Sequence, residues 1–253
     1  MAIPEAARAL ERDLRGIFGS RLQSLVIYGQ RHASARGSEH DGGAAHGHGA
    51  AAHGPSSPTR TLAIVSSMTL DDLRASARQV ERWHDAGLAT PLVIEAGEFE
   101  RSLDAFPLEF GAIIADHVVV SGDNPFASLA VDAADVRRAC EVQARSHLLH
   151  LREGFLETRG RHDALSLLIV ESAPAFAALV ASLARLDGRS HGDAEAAARH
   201  VERLTGIGDG TIATIVGLAR AHDLPSAAAE GLFAPYLDAV EKIVRFVDGW
   251  ADA

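Results

Sequence analysis

The feature that most constrains this 253-residue chain is a single change in its apolar pattern near residues 125 to 131. Before it, short runs of β-branched and aliphatic residues alternate with helix-period stretches; after it, every apolar stretch has the helical period. Interspersed strands and helices imply a sheet covered by helices, and a tail of amphipathic helices implies a bundle. We therefore expect an α/β (α+β) N-terminal domain with a small mixed sheet over residues 1–128, and an all-α helical bundle over 129–253.

Within the first domain, residues 4–18 set Ala7, Leu10, Leu14 and Phe18 on one helical face and stop at Gly19. Residues 22–28 form a short apolar run closed by Gly29, and residues 61–65 and 91–95 repeat that pattern, so all three predict buried strands. Between the last two, residues 67–86 predict one helix with Leu70, Leu73, Ala77, Val80 and Trp83 inward, and with Asp71 and Asp72 in its first turn, where carboxylates suit the dipole. A helical turn near 97–103 and a strand over 117–121 complete the domain. Beyond it, Asp132 caps a long helix over 132–159, and Pro174, Gly188, the stretch 206–210 and Pro225 divide the remainder into a bundle of four to six helices. Trp83, Trp250, Phe233 and Tyr236 read as packing residues.

Between Gly29 and Thr61 no Val, Ile, Leu, Met, Phe, Trp or Tyr occurs, while Gly, Ala, Ser and His32, His40, His46, His48 and His53 fill the space. Such a tract cannot bury a core and predicts a disordered, His/Gly/Ala-rich surface insertion at about 31–60. Imidazoles bind zinc, nickel or copper, but ligands without rigid elements or supporting partners bind adventitiously, so no metal site is assigned there.

Two singletons narrow the chemistry. The only lysine is Lys242, in an apolar-periodic helix, which excludes a phosphate-loop lysine and a Schiff-base lysine. The only cysteine is Cys140, which excludes an internal disulfide and a multi-cysteine zinc site and suits a reducing cytoplasm. A formal net charge of -10 argues against general nucleic-acid binding. No run approaches the ~20 apolar residues of a bilayer span, so no membrane association is expected.

The order of elements, with Phe18-Gly19, then Leu25-Val26-Ile27-Tyr28-Gly29, a strand, a helix and the Pro91-Leu92-Val93-Ile94 strand, resembles the nucleotidyltransferase domain of the polymerase-β-like superfamily. The segments 102–109 and 233–238 resemble those of bacterial two-part proteins that join such a domain to a helical bundle. The resemblance implies a Gly-Ser turn at the phosphates, an Asp-x-Asp pair on the next strand and a third carboxylate from a neighbouring strand. Two Mg²⁺ ions need such converging carboxylates to stabilise both the attacking and the leaving oxygens. This chain departs from the pattern. The Gly-Ser position reads Gly29-Gln30, and Thr59 and Thr61 stand where the aspartate pair is implied. Glu95, and after it Glu109, are the acidic residues left to serve as the third ligand. Glu39 and Asp41 lie in the glycine-rich insertion, which offers no rigid support for catalysis.

Two motifs in the helical half carry rival chemistry. Arg145-Ser146-His147-Leu148-Leu149-His150 fits a loose arginine-and-histidine pattern of helical ribonucleases, in which a general-base His sits beside a phosphate-binding Arg; its place in the first bundle helix favours a solvated or domain-facing stripe. Residues 204–213 resemble the hairpin of helix-hairpin-helix modules. There Asp209 and Glu202 would repel phosphate, so a glycine C-cap at Gly206 followed by a new helix begun by Asp209 is expected.

The sequence thus reads as a degenerate nucleotidyltransferase-like protein, inactive or nucleotide-binding, with Gly29, Gln30 and Arg31 at the strand-to-loop junction as the nucleotide or phosphate contact. The alternatives are an active Mg²⁺-dependent transferase of a nucleoside monophosphate, with Glu95 and Glu109 as ligands, and an interaction or assembly protein of the toxin–antitoxin kind. In the last of these the helical bundle serves as the surface of a homodimer.

Overall fold

A computed structural model describes residues 3–29, 58–188, 193–221 and 223–250. Residues 30–57, which hold Gln30, Arg31 and the five histidines of the insertion, lie outside the described residues; its last residues, 58–60, are described and lead into the sheet, where the expectation was disorder. The chain divides into two compact units, Met1–Val131 and Asp132–Ala253.

The first unit runs α1 (Glu5–Phe18), β1 (Leu22–Tyr28), β2 (Arg60–Val65), α2 (Leu70–Ala77), α3 (Val80–Asp85), β3 (Leu92–Glu95), α4 (Ala96–Arg101), α5 (Pro107–Ala115) and β4 (His117–Gly122). The sheet has the order β3-β2-β1-β4, with β1 antiparallel to β2 and β4, and β2 parallel to β3. Helices cover both faces, which is why β1 and β2 are nearly continuous apolar runs. On one face Leu10, Leu14 and Phe18 of α1 and Trp83 of α3 pack on Leu25, Ala63 and Val65. On the other, Phe99, Phe110, Ile113 and Phe126 pack on Val26, Leu62, Ile64 and Ile94. Each of the buried Leu, Ile, Val and Phe side chains among these contributes roughly 1.5–3 kcal/mol relative to exposure. Gly122 ends β4 at φ +78°, and a Cβ there would stand 1.9 Å from the Gln23 carbonyl oxygen, so the strand crossing admits only glycine.

The single helix expected over residues 67–86 is two, and the first of them is turned inside out. Leu70 is 61% exposed and Leu73 43%, while Asp72 and Ser76 face inward. Asp72 explains the inversion. Its carboxylate accepts from both terminal nitrogens of Arg21 at 2.6 and 2.7 Å and closes a capping box with Thr69, whose side chain accepts from the Asp72 backbone N–H. The Arg21 guanidinium, and then Thr69, hold the Asp72 carboxyl well below the usual carboxylate range. The chain then reorients at Arg78 and Gln79 so that Trp83 enters the core and donates its indole N–H to Asp13 at 2.9 Å. A polar anchor outweighs the apolar period here because an unpaired buried carboxylate would cost more than two exposed leucines.

The described residues of the second unit form five helices: α6 (Ala133–Thr158), α7 (His162–Leu186), α8 (Ala194–Thr205), α9 (Thr211–Ala221) and α10 (Ser226–Asp248). Helix α7 packs against all four others, with Leu165, Ile169, Ala173, Phe176, Leu179, Val180 and Leu183 buried. That central position accounts for its composition: by length and composition it could cross a membrane, contrary to the expectation that no such segment exists, yet the seven side chains just named line the bundle core, while Leu167 is exposed. Nor does Pro174 end it. One missing N–H costs about 3 kcal/mol, less than the apolar surface that the continuing helix buries on both sides of the proline. Pro235 sits inside α10 in the same way. Breaks do occur at Gly188, between Gly206 and Gly210, and at Pro225, as expected.

A polar group sits at the centre of this bundle. His147 Nε2 and Tyr236 Oη share a 2.7 Å hydrogen bond, Ser172 Oγ lies 3.2 Å from the same phenol oxygen, and the His147 ring stacks on Phe176. Burial pushes the His147 imidazole down to about 4 and the Tyr236 phenol upward.

Candidate functional site

The end of the sheet where β1 leaves and β2 returns is where the fold could hold a phosphate. Gly29, Thr59 and Thr61 come together there: Ile27 pairs with Thr61 and Tyr28 with Arg60, so Gly29 and Thr59 stand one step further on. Gly29 adopts φ +70°, and its N–H is not free, because it donates to the Asp116 carbonyl at 3.0 Å. The expectation of an exposed backbone donor at this junction therefore fails at Gly29. Thr59 is tied by its own backbone to Gly87 and Ala89, which extends the sheet past β2.

Thr61 points to the α1 face, with Ala63 and Val65 in alternation behind it. It is 1% exposed, and among the described residues its Oγ1 has no hydrogen-bond partner. Glu95 shares that face but not that end. It pairs with Val65, four residues along from the level of Thr61, a separation of about 13 Å on an extended strand. There its Oε1 accepts the Met68 backbone N–H at 2.8 Å, closing the turn after β2. Glu109 lies exposed in the first turn of α5, whose Phe110 and Ile113 pack on the opposite face of the sheet. The structure therefore brings neither glutamate to the two threonines. Among the described residues no three His, Cys, Asp or Glu side chains gather in a way that could hold a metal ion. Neutral, buried threonines do not fit Mg²⁺, which binds in such sites through carboxylates.

One row of residues at this end was not anticipated. Arg60, Tyr28 and His117 stand abreast on β2, β1 and β4, on the face away from Thr61. The Tyr28 hydroxyl is raised by burial, an effect that the nearby Arg60 charge opposes. His117 Nδ1 is fixed by the Ile114 carbonyl at 2.9 Å, and its ring meets Phe126 edge-on. Arg60 is exposed and can offer a guanidinium to an anion. Strand alternation between Thr59 and Thr61 already set Arg60 on the opposite face; the neighbourhood of His117 depends on its pairing with Tyr28, 89 residues earlier, and had no local signal.

The two helical motifs are occupied by their own chain. Arg145 binds Asp248 at 2.7 Å and Glu141 at 3.3 Å, His147 lies in the core, and His150 Nδ1 lies 3.4 Å from Ser146 Oγ. At the hairpin, Gly206 is a left-handed C-cap. Asp209 accepts from the Thr211 N–H at 3.1 Å, and the buried Glu202 carboxylate accepts from the Ala213 N–H at 3.1 Å. The donors that would face a phosphate already face these two carboxylates, and the Asp209 carboxyl is lowered by its bonds to Thr211.

No family model and no curated protein matches the sequence. Among solved structures, the chain is similar to the spectinomycin adenyltransferase AAD(9) from Enterococcus faecialis, determined with ATP and spectinomycin. The TM-score is 0.56 at 11% identity, and the superposition covers 96% of this chain and 98% of that one. A likeness of this extent at so low an identity establishes the fold: a nucleotidyltransferase-like α/β domain followed by a helical part.

Proposed function

We propose that this chain uses the nucleotidyltransferase-like fold to bind a nucleotide or a related phosphate ester without transferring it. The observation that carries the reading is the pair Thr59 and Thr61 at the sheet end, with the Thr61 hydroxyl buried and unpartnered where a metal-binding carboxylate would be required. The placement of Glu95 on the Met68 N–H supports it, since that carboxylate serves a turn. With the Gly29 N–H committed to Asp116, the proposed phosphate contact is Gln30 and Arg31 beside it, with Arg60 as a further cation, and ATP is the first ligand to try because the similar adenyltransferase was solved with it. The cytoplasm is proposed as the compartment, which suits the buried free thiol of Cys140, pushed up to about 12 by burial.

Titration calorimetry with ATP and Mg²⁺, run beside a pyrophosphate-release assay, tests the proposal. Binding without release is expected, and Arg60→Ala weakens it by about tenfold, the loss of one charge-assisted contact. Sustained pyrophosphate release that disappears in Glu95→Ala or Glu109→Ala overturns the binding-only reading in favour of an active transferase.

A further inference from the structure

Three polar heads on one row of the sheet have no partner among the described residues. Arg60 on β2, Tyr28 on β1 and His117 on β4 pair in direct register, so their side chains share the face away from Thr61. Neighbouring strands lie about 4.8 Å apart, which sets the bases of the three side chains within about 10 Å. No carboxylate among the described residues reaches the Arg60 guanidinium, although the chain carries a net charge of -10. The Tyr28 hydroxyl and Nε2 of His117 likewise have no hydrogen-bond partner there. His117 is nevertheless held in place. A carbonyl only accepts, so Nδ1, 2.9 Å from the Ile114 oxygen, carries a hydrogen, and the edge-on contact with Phe126 fixes the plane of the ring. Nε2 is left as its available nitrogen.

We propose that Arg60, Tyr28 and His117 bind the phosphoryl group of a phosphate ester directly, without a divalent metal. This deepens the binding reading above and rests on it for the ester being a nucleotide. Each head has a match on a phosphoryl group. The guanidinium fork takes two of its oxygens, and the phenol donates to the third. Nε2 accepts from the P–OH of a monoanion or, once protonated, donates to the dianion. A carboxylate has no third oxygen to offer this row. Arg60 supplies the positive charge that a metal would otherwise bring, in a chain whose described residues gather no carboxylates to hold one.

Titration calorimetry in EDTA, with ATP and separately with inorganic pyrophosphate, tests the proposal. Both are expected to bind, and ATP to keep its affinity in Mg²⁺ to within about threefold. Tyr28→Phe and His117→Asn are each expected to weaken both ligands by about tenfold, the loss of one hydrogen bond to a charged group. Asparagine at 117 retains a donor for the Ile114 carbonyl, so its effect reports the outward nitrogen and not the bond that holds the ring. In ¹⁵N-labelled protein, pyrophosphate is expected to shift the Nε2 resonance of His117. Binding that requires Mg²⁺, or that neither substitution weakens, overturns the proposal and leaves nucleotide binding standing. Pyrophosphate that binds and moves the His117 resonance while ATP does not bind supports the row and removes the nucleotide reading. If neither ligand binds, both fall.

Discussion

Thr61 and His147 are both polar, both buried, and belong to different units, yet they stand in opposite relation to their surroundings. His147 is held by Tyr236, with Ser172 completing the group and Phe176 stacked on the ring. Thr61 has a buried hydroxyl that nothing among the described residues satisfies. The first is a polar layer that aligns three helices, α6, α7 and α10; the second is a lone hydroxyl on the α1 face of the sheet. A buried polar group that is fully bonded is structural, and one left unbonded marks a place where the fold and the sequence disagree.

The contrast can be broken most severely at Tyr236. Replacing this fully buried ring by alanine removes both its packing and the His147 partner, and chemical denaturation should show a loss of about 3–5 kcal/mol. Acid probes the same group more gently. His147 has its pKa lowered to about 4 in the folded protein against the ordinary 6.5, so the unfolded chain binds more protons between those values. Stability is therefore complete above pH 6.5 and falls as pH drops toward 4, by about 3 kcal/mol in total. A His147→Gln variant should lose that part of the slope, and an unchanged slope would place the proton uptake elsewhere.

Thr61 should respond in the opposite direction. Thr61→Val keeps the branched shape and removes the unsatisfied hydroxyl, so urea unfolding should show a gain of about 1 kcal/mol with ATP affinity unaltered. A loss of stability would mean that the hydroxyl has a partner after all. The smallest effect is expected at the hairpin: Asp209→Ala frees the Thr211 N–H and should cost about 1 kcal/mol, without creating phosphate binding while Glu202 still holds the Ala213 N–H.

Much of this was legible in the chain. β1 ends at Gly29 and α6 begins after Asp132 because a left-handed glycine and an N-cap carboxylate are local devices, and the sheet strands were visible as apolar runs covered on both faces. Where the local period was trusted too far, it misled. Leu70 and Leu73 keep perfect helical spacing, but a long-range bond from Arg21 to Asp72 turns the helix the other way. Pro174 is a strong breaker in isolation and is overridden by the packing of α7. The site was legible only in part: the threonines at 59 and 61 could be read as missing carboxylates, while Arg60 beside Tyr28 and His117 could not be assembled without the strand pairing.

By itself, then, the sequence determined the change from mixed strands and helices to helices alone, the identity of the residues at the sheet end, and the apolar runs of the strands. These depend on residue type and on periods of two or 3.6, which are properties of neighbouring residues. Only the tertiary structure decided that Glu95 lies a strand's length from Thr61, that Glu109 belongs to the other face, and that Val142, Leu149 and Leu156 look outward. The physical reason is that a period specifies which side chains share a face. Which face meets which partner is set by register and packing between segments far apart in the chain.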